Sequence, residues 1–256
     1  SAMLGNMVSR NRLALAAALL AVLAALLARW SSRSAIALLP GERLLFSADD
    51  RHVRAAVVEG PMGRRMLING RQTAASGMGL RAPVVLAFLP LMFSSRPKDV
   101  LLLGWGSGVA AAAALSHPIR RLDAVERCPP IVAAAEAFDQ ARDPARDARA
   151  RLAVEEPEAF LRRRGLQYDI ILMESDDPRL YRPATARLKP GGLVALRLRR
   201  EELDGTFPAF SAVFSQVSAW SPGDGDVILL GGGDPVNAVA GLDKFFARAE
   251  PAAWLR

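Results

Sequence analysis

Hydrophobic and polar positions along the chain follow three different patterns. The first is unbroken: Leu13 to Ala28 holds leucine, alanine and valine without a charge, between Arg10 and Arg12 on one side and Trp30, Arg29 and Arg33 on the other. Its sixteen residues span about 24 Å as a helix, slightly short of a hydrocarbon core of about 30 Å. On a helical projection the leucines take one half, and Ala17, Ala21, Ala24 and Ala28 line the other, where a second helix could approach closely. A membrane-spanning helix is the leading reading, with a secretory signal peptide and a soluble helix packed on a partner as alternatives. Arginines on both flanks leave its orientation undecided. The opening Ser-Ala-Met reads either as an added remnant or as the cut end of something longer.

The second pattern is alternation. "ERLLFSADDRHVRAAVVEGPMGRRMLINGRQTAA" switches between apolar and polar positions and breaks at Gly60-Pro61 and Asn69-Gly70. This predicts short antiparallel strands joined by tight turns over about residues 41–75. Leu80 to Phe93 is apolar and helix-like, ending before the Ser94-Ser95-Arg96-Pro97 turn.

The third pattern repeats strand, turn and helix. "DVLLLGWG" is a continuous apolar strand, as in a parallel sheet covered on both faces, and "VAAAAALSH" follows as a helix. Further strands are predicted at "RLDAVE", "ARLAVEE", "YDIILM" and "GGLVALRLR", and helices at "PPIVAAAEAFDQ", "PEAFLRRRG" and "FPAFSAVFSQ". "VSAW" and "DVILLGG" form a closing hairpin around residues 221–225. The expected fold is an α/β doubly wound sheet with right-handed crossovers and ligand at the C-terminal strand ends. Three segments result: 1–35, the apolar helix and its flanks; 36–78, a small β-rich module; and 79–256, a nucleoside-binding α/β domain.

Composition narrows the function classes. At 51% hydrophobic and 23% charged residues, a packed core is expected and global disorder excluded. The net charge of +7 is nearly all arginine, with lysine only at 98, 189 and 244, and no basic stripe is interleaved with aromatics. Nucleic acid is therefore not an expected partner. Cys128 is the only cysteine, and His52 and His117 stand far apart, which excludes an intrachain disulfide framework and argues against a metal site.

Candidate chemistry gathers at the predicted strand ends. Gly104-Trp105-Gly106-Ser107-Gly108 has its third glycine too early for a dinucleotide fingerprint, yet such a turn permits close backbone approach to a ligand. A tight strand-to-helix turn needs glycine without any ligand, so both readings stay open. Glu126 ends the second strand, eighteen residues after Gly108, where a carboxylate can accept both hydroxyls of a ribose. Glu155 and Glu156 end the third; one could accept from an adenine amino group, or either could complement a helix dipole. "MESDDP" places Glu174, Asp176 and Asp177 at the end of the fourth. Converging in a dry crevice, these acids would need a cationic ligand or raised pKa values, and an amine substrate would meet the first need. An acidic loop in water is the alternative.

The glycine turn, Glu126, Glu156, "ESDDP" and "LINGRQ" together resemble the spermidine synthase (polyamine aminopropyltransferase) family over about residues 45–235. The similarity is greatest to a bacterial branch in which such a domain follows a membrane region. The resemblance implies a β-strand N-terminal module, a class I methyltransferase-like Rossmann domain, and transfer of the aminopropyl group of decarboxylated S-adenosylmethionine to an amine. Under it Gly104, Gly106 and Gly108 match the cofactor loop, with Trp105 and Ser107 in place of its usual glycine and aspartate. Glu126 matches the ribose acid, and Glu156 falls where an aspartate lies near the adenine. Glu174 takes the position of the catalytic aspartate, and Asp177 retains the last acid of that motif. Asn69-Gly70 stands for an Asp-Gly pair, and Gln72, one place short of the family's glutamine, joins the cofactor-binding set.

The family's Tyr-His-Glu segment, which helps hold the amine, has no counterpart in "GMGLRAPVVLAFLP". The expected co-substrate is decarboxylated S-adenosylmethionine or S-adenosylmethionine, with no metal. Expected partners are a small-molecule amine and a membrane reached through residues 13–28, with a homodimer left open. The globular domain would face the cytoplasm at a bacterial inner membrane. An S-adenosylmethionine-dependent methyltransferase and a non-catalytic nucleoside-binding scaffold are the alternatives. Trp105 poses its own question: its ring either caps a ligand or fills the space of one.

Overall fold

The computed structural model describes Leu20 and residues 36–51, 53–139, 143–163, 165–174, 176–223 and 225–232, with the Met78 side chain set aside. Apart from Leu20, the apolar run 13–28, and with it the expected N-terminal helix and membrane attachment, lies outside the described residues. Among the described residues no helix is long and apolar enough to cross a membrane. The described residues from Leu39 onward belong to one compact unit.

The alternating segment builds a four-stranded antiparallel sheet in the order β1 (Arg43–Asp49), β2 (Arg54–Gly60), β3 (Gly63–Ile68), β4 (Arg71–Ala75). Asn69 and Gly70 close the β3–β4 hairpin with φ of 51° and 78°, the two left-handed positions that make Asn-Gly the preferred two-residue turn. The hydrophobic face of this module, Ala55, Val57, Met66 and Ala74, packs on Ile131, Ala134 and Phe138 of helix α3 (Pro129–Phe138). Arg64 fastens the contact by donating from Nη1 to the carbonyls of Ala137 and Phe138, both at 3.2 Å.

Helix α1 (Arg81–Phe93) leads into the larger sheet. Its elements follow in the order β5 (Asp99–Leu103), α2 (Val109–Leu115), β6 (Arg121–Glu126), α3, β7 (Ala150–Val154), α4 (Pro157–Arg162), β8 (Tyr168–Met173), α5 (Tyr181–Thr185), β9 (Leu188–Arg199), α6 (Leu203–Ser211), β10 (Gln216–Gly223) and β11 (Asp226–Gly232). Spatially the strands run β10-β11-β9-β8-β5-β6-β7, with β5 to β9 parallel and the terminal hairpin antiparallel. The chain winds outward from β5 through β6 to β7, then returns to β8 on the other side. The reversal opens a crevice at the C-terminal ends of β5, β6 and β8.

Because strand side chains alternate, β5 feeds two cores at once. Val100 and Leu102 pack with α1 and α2 on one face, while Leu101 and Leu103 pack with α5 and α6 on the other. The last helix begins earlier than "FPAFSAVFSQ" predicts and ends before Phe214. Phe210 and Phe214 both turn into the core with ring centroids 4.5 Å apart, and Gly231 makes room, since a Cβ there would lie 2.7 Å from Phe214 and 2.8 Å from Phe210. Tertiary packing of two rings, rather than helical periodicity, sets that boundary.

Candidate functional site

The crevice begins where β5 ends. Gly104, Gly106 and Gly108 all have positive φ, at 89°, 53° and 78°. Gly104 donates its N–H to the carbonyl of Val125, extending the β5–β6 ladder, and Gly108 donates to Trp105 to close the turn before α2. A Cβ on Gly104 would sit 3.1 Å from that of Glu174, so glycine is what lets the ends of β5 and β8 approach.

Glu126, at the end of β6, organises this turn. Its Oε2 accepts the backbone N–H of Trp105 at 2.9 Å, and its Oε1 accepts that of Cys128 at 2.9 Å. The carboxylate is buried and ties the glycine turn to the start of α3. Each carboxylate oxygen has a second acceptor direction, so Glu126 can still receive two hydroxyl donors side by side.

A cavity of about 960 Å³ opens over these groups. Gly104, Gly106, Glu126, Glu156, Glu174 and Asp177 line it, and Val53, Ile68, Asn69 and Thr73 of the β-module contribute a further wall. Six lining carboxylates (126, 156, 158, 174, 176, 177) against three guanidiniums (127, 162, 179) leave a formal charge of −3, which favours a cationic ligand.

Two of the expected cofactor-binding residues are not in this lining. Gln72 is exposed on β4 and accepts from Arg65 Nη1 at 3.4 Å; the bulge opposite Met66 and Leu67 makes Thr73 the extra residue, and Thr73 is the one on the cavity. Gly108 sits at the N-cap of α2, where a Cβ would lie 3.5 Å from Pro144, and it lines a separate small cavity of about 200 Å³. Trp105 lies on that side too, only 2% exposed and packed in the core. Its ring is not among the groups lining the large cavity, so it neither caps that cavity nor fills it.

Of the paired acids after β7, Glu155 turns to Arg163 at 2.6 Å, while Glu156 lines the cavity and makes no cap bond to α4. The acids after β8 diverge. Asp176 accepts from the hydroxyls of Tyr181 and Thr206, and burial together with that carboxylate pushes the Tyr181 phenol strongly up. Asp177 caps the turn Pro178–Leu180 through the Arg179 N–H at 3.1 Å and holds the Arg179 guanidinium at 2.7 Å, which lowers its carboxyl below the usual range.

Glu174 meets a partner that the motif did not announce. Its Oε2 lies 3.0 Å from Nη1 of Arg197, on β9, with the two side chains only 6% and 16% exposed. Arg197 also reaches Asp226, with Nε 3.4 Å from Oδ1, and donates from Nη2 to the Thr73 carbonyl at 3.3 Å. Burial raises the Glu174 carboxyl above the ordinary range despite Arg197, with Asp226 and Glu126 adding to the effect. Arg197 holds its proton more tightly than usual, because Glu174 and Asp226 together outweigh its own desolvation. The available signal was an arginine inside "LVALRLR", a strand otherwise built for full burial: such a charge needs acidic partners.

Among the described residues, no group of three or more histidine, cysteine, aspartate or glutamate side chains is arranged to hold a metal ion. No family model matches the chain, and no curated protein matches it by sequence. Solved structures do. The chain is similar to the spermidine synthase from Thermotoga maritima, with a TM-score of 0.69 and 19% identity over 77% of this chain and 75% of that one. It is likewise similar to a spermidine synthase in complex with the transition-state analogue AdoDATO, with a TM-score of 0.70 and 18% identity over 78% and 76%. The protein therefore has a spermidine synthase-like fold, a methyltransferase-type mixed sheet preceded by a small antiparallel β-module.

Proposed function

We propose that the cavity binds an S-adenosyl sulfonium nucleoside, decarboxylated S-adenosylmethionine or S-adenosylmethionine itself, as the donor in a spermidine synthase-like group transfer. The observation that carries this reading is Glu126, held at the strand-reversal crevice by two backbone N–H groups and retaining one acceptor direction on each oxygen. A ribose diol presents two adjacent donors that match it. Glu156 would accept from the adenine amino group, the backbone at Gly104 and Gly106 would lie along the sugar, and the negative lining would favour a sulfonium.

In aminopropyl transfer, an amine nitrogen attacks the aminopropyl carbon bonded to sulfur. The C–N bond forms as the C–S bond breaks, its electron pair passes to sulfur, and methylthioadenosine leaves. The amine must then shed a proton, and Glu174, with its raised proton affinity beside Gly104, is the acceptor candidate. Asp177 would be a second acid on the amine side. The buried Glu174–Arg197 pair favours a second reading, in which the nucleoside binds without aminopropyl transfer to a polyamine, or a methyl group goes to another acceptor.

A thermal-shift and calorimetry panel of S-adenosylmethionine, its decarboxylated form and methylthioadenosine tests the nucleoside site. At 100 times its dissociation constant a true ligand adds about 2.7 kcal/mol of stability. Glu126→Ala abolishes that gain in the folded variant. Tighter binding of the intact than of the decarboxylated form selects the methyltransferase reading, and no heat or shift from any of the three sinks the nucleoside assignment.

A further inference from the structure

Every acid of the "ESDDP" segment has a donor from within the chain. Asp176 is taken by the Tyr181 and Thr206 hydroxyls, and Asp177 by the backbone and guanidinium of Arg179. Glu174, the one buried beside the glycine turn, is taken by Arg197. A carboxyl group buried to this degree is neutralised by a proton or by a positive partner, and either a bound amine or the protein can provide that partner. Here the protein does.

The arrangement around Arg197 is closed and charge-balanced. Glu174 lies 3.0 Å from its Nη1, Asp226 faces its Nε at 3.4 Å, and the Thr73 carbonyl accepts from its Nη2 at 3.3 Å. Asp226 is also 3.6 Å from Nη1 of Arg199, so two buried carboxylates face two guanidiniums. Arg197 stands on β9, paired opposite Ile228 of β11 inside a seven-stranded sheet, so the cation is carried by a rigid element rather than a loop. The Thr73 bond fixes its far side to the β-module. An amine arriving at Glu174 would therefore meet a spent charge, and displacing Arg197 would take away one of the two guanidiniums facing Asp226 and break the Thr73 bond.

We propose that Arg197 is the specificity-determining residue of the acceptor half of the cavity: it supplies from within the chain the positive charge that a di- or polyamine would bring to Glu174. The protein thus takes a sulfonium nucleoside without taking a polyamine. This rests on the nucleoside reading for the cavity's other half and selects between the two reactions considered there, against polyamine transfer. Arg197 is a positioning and charge-balancing group, not one that touches the reacting atoms.

Calorimetry of the whole chain with putrescine and spermidine, alone and after saturation with methylthioadenosine, tests it, with sodium chloride at equal ionic strength as the control. The wild-type protein should give no saturable amine heat in either state. Arg197→Ala should melt at lower temperature, and putrescine or methylguanidinium, but not sodium chloride, should restore the loss, with at least a tenfold gain in amine affinity. Arg197→Lys, which keeps a cation in place, should still exclude amines.

Saturable binding of a diamine to the wild type within tenfold of the Arg197→Ala variant would overturn the proposal, as would amine binding strengthened by the nucleoside. So would turnover of putrescine by the wild type. If Arg197→Ala does not fold, the wild-type and Arg197→Lys titrations still decide. Failure of methylthioadenosine to bind refutes the nucleoside site instead, because the amine titrations and the rescue are also run without nucleoside.

Discussion

Glu126→Ala separates the structural from the recognition role of one carboxylate. In the wild type this side chain accepts two buried backbone N–H groups, from Trp105 and Cys128, each at 2.9 Å. Alanine leaves both donors without an acceptor where water has poor access, at about 1–3 kcal/mol each, so the variant should lose about 2–6 kcal/mol. For a chain of this size that lowers the melting temperature by roughly 2–4 °C per kcal/mol. Glu126→Gln keeps one acceptor oxygen and should lose about half as much.

Urea unfolding gives the stability arm, and calorimetry with methylthioadenosine at a temperature where each variant is folded gives the binding arm. Two hydroxyl bonds to a charged acceptor contribute about 1.5–3 kcal/mol each, so Glu126→Ala should bind at least about 100-fold more weakly and Glu126→Gln, which keeps one acceptor oxygen, at least about tenfold. If Glu126→Ala loses less than about 0.5 kcal/mol of stability, the two backbone bonds are not what holds the glycine turn. If stability falls as expected while nucleoside affinity is unchanged, Glu126 is purely structural and the ribose assignment is wrong.

Other outcomes follow from the same geometry. Gly104→Ala meets both a φ of 89° and a Cβ 3.1 Å from that of Glu174, so it should cost more than the roughly 1–2 kcal/mol of the left-handed conformation alone; a smaller loss in urea unfolding would show that the ends of β5 and β8 have slack. Trp105→Ala empties a core site 2% exposed and should cost about 3–5 kcal/mol, yet leave methylthioadenosine affinity within about threefold, because the ring is off the large cavity. Loss of affinity without loss of stability would refute that placement.

Acid titration reads the far end of the sheet, where Lys189 lies 2.6 Å from Asp99 and 2.9 Å from Asp169. Burial pushes both carboxyls up, but Lys189 outweighs it, aided by Arg120 at Asp99 and by backbone donors at Asp169, so both sit below the ordinary range. The unfolded chain then binds more protons than the folded one as pH falls, so stability present above about pH 5 is lost on acidification through the lowered values. Lys189→Met should flatten that limb of a stability–pH curve, and an unchanged slope would show that the cluster does not govern it.

Much of the fold was legible because periodicity reports burial. Alternation marked the β-module, continuous apolar runs marked the parallel strands, and Asn69-Gly70 marked a turn whose two residues both have positive φ. Glycines at 104 and 106, Glu126, Glu156 and Glu174 could be placed at strand ends from spacing alone, since each ends a strand or follows one within three residues. Gln72 could not: a bulge of one residue in β4 decides whether position 72 or 73 meets the cavity, and no local pattern encodes a bulge set by its partner strand.

The acids after β8 show the same limit more sharply. "ESDDP" reads as three carboxylates bound for one crevice, but a carboxylate's role depends on what the rest of the chain brings to it. Tyr181 and Thr206 arrive from α5 and α6, and Arg197 from the far side of β8, twenty-three residues after Glu174. By itself, then, the sequence determined the element order, the strand ends and the residue types available there, all local consequences of side-chain periodicity and backbone sterics. Which of those charges remain open to a ligand was decided only in the tertiary structure, because electrostatic pairing depends on distance through space and not along the chain.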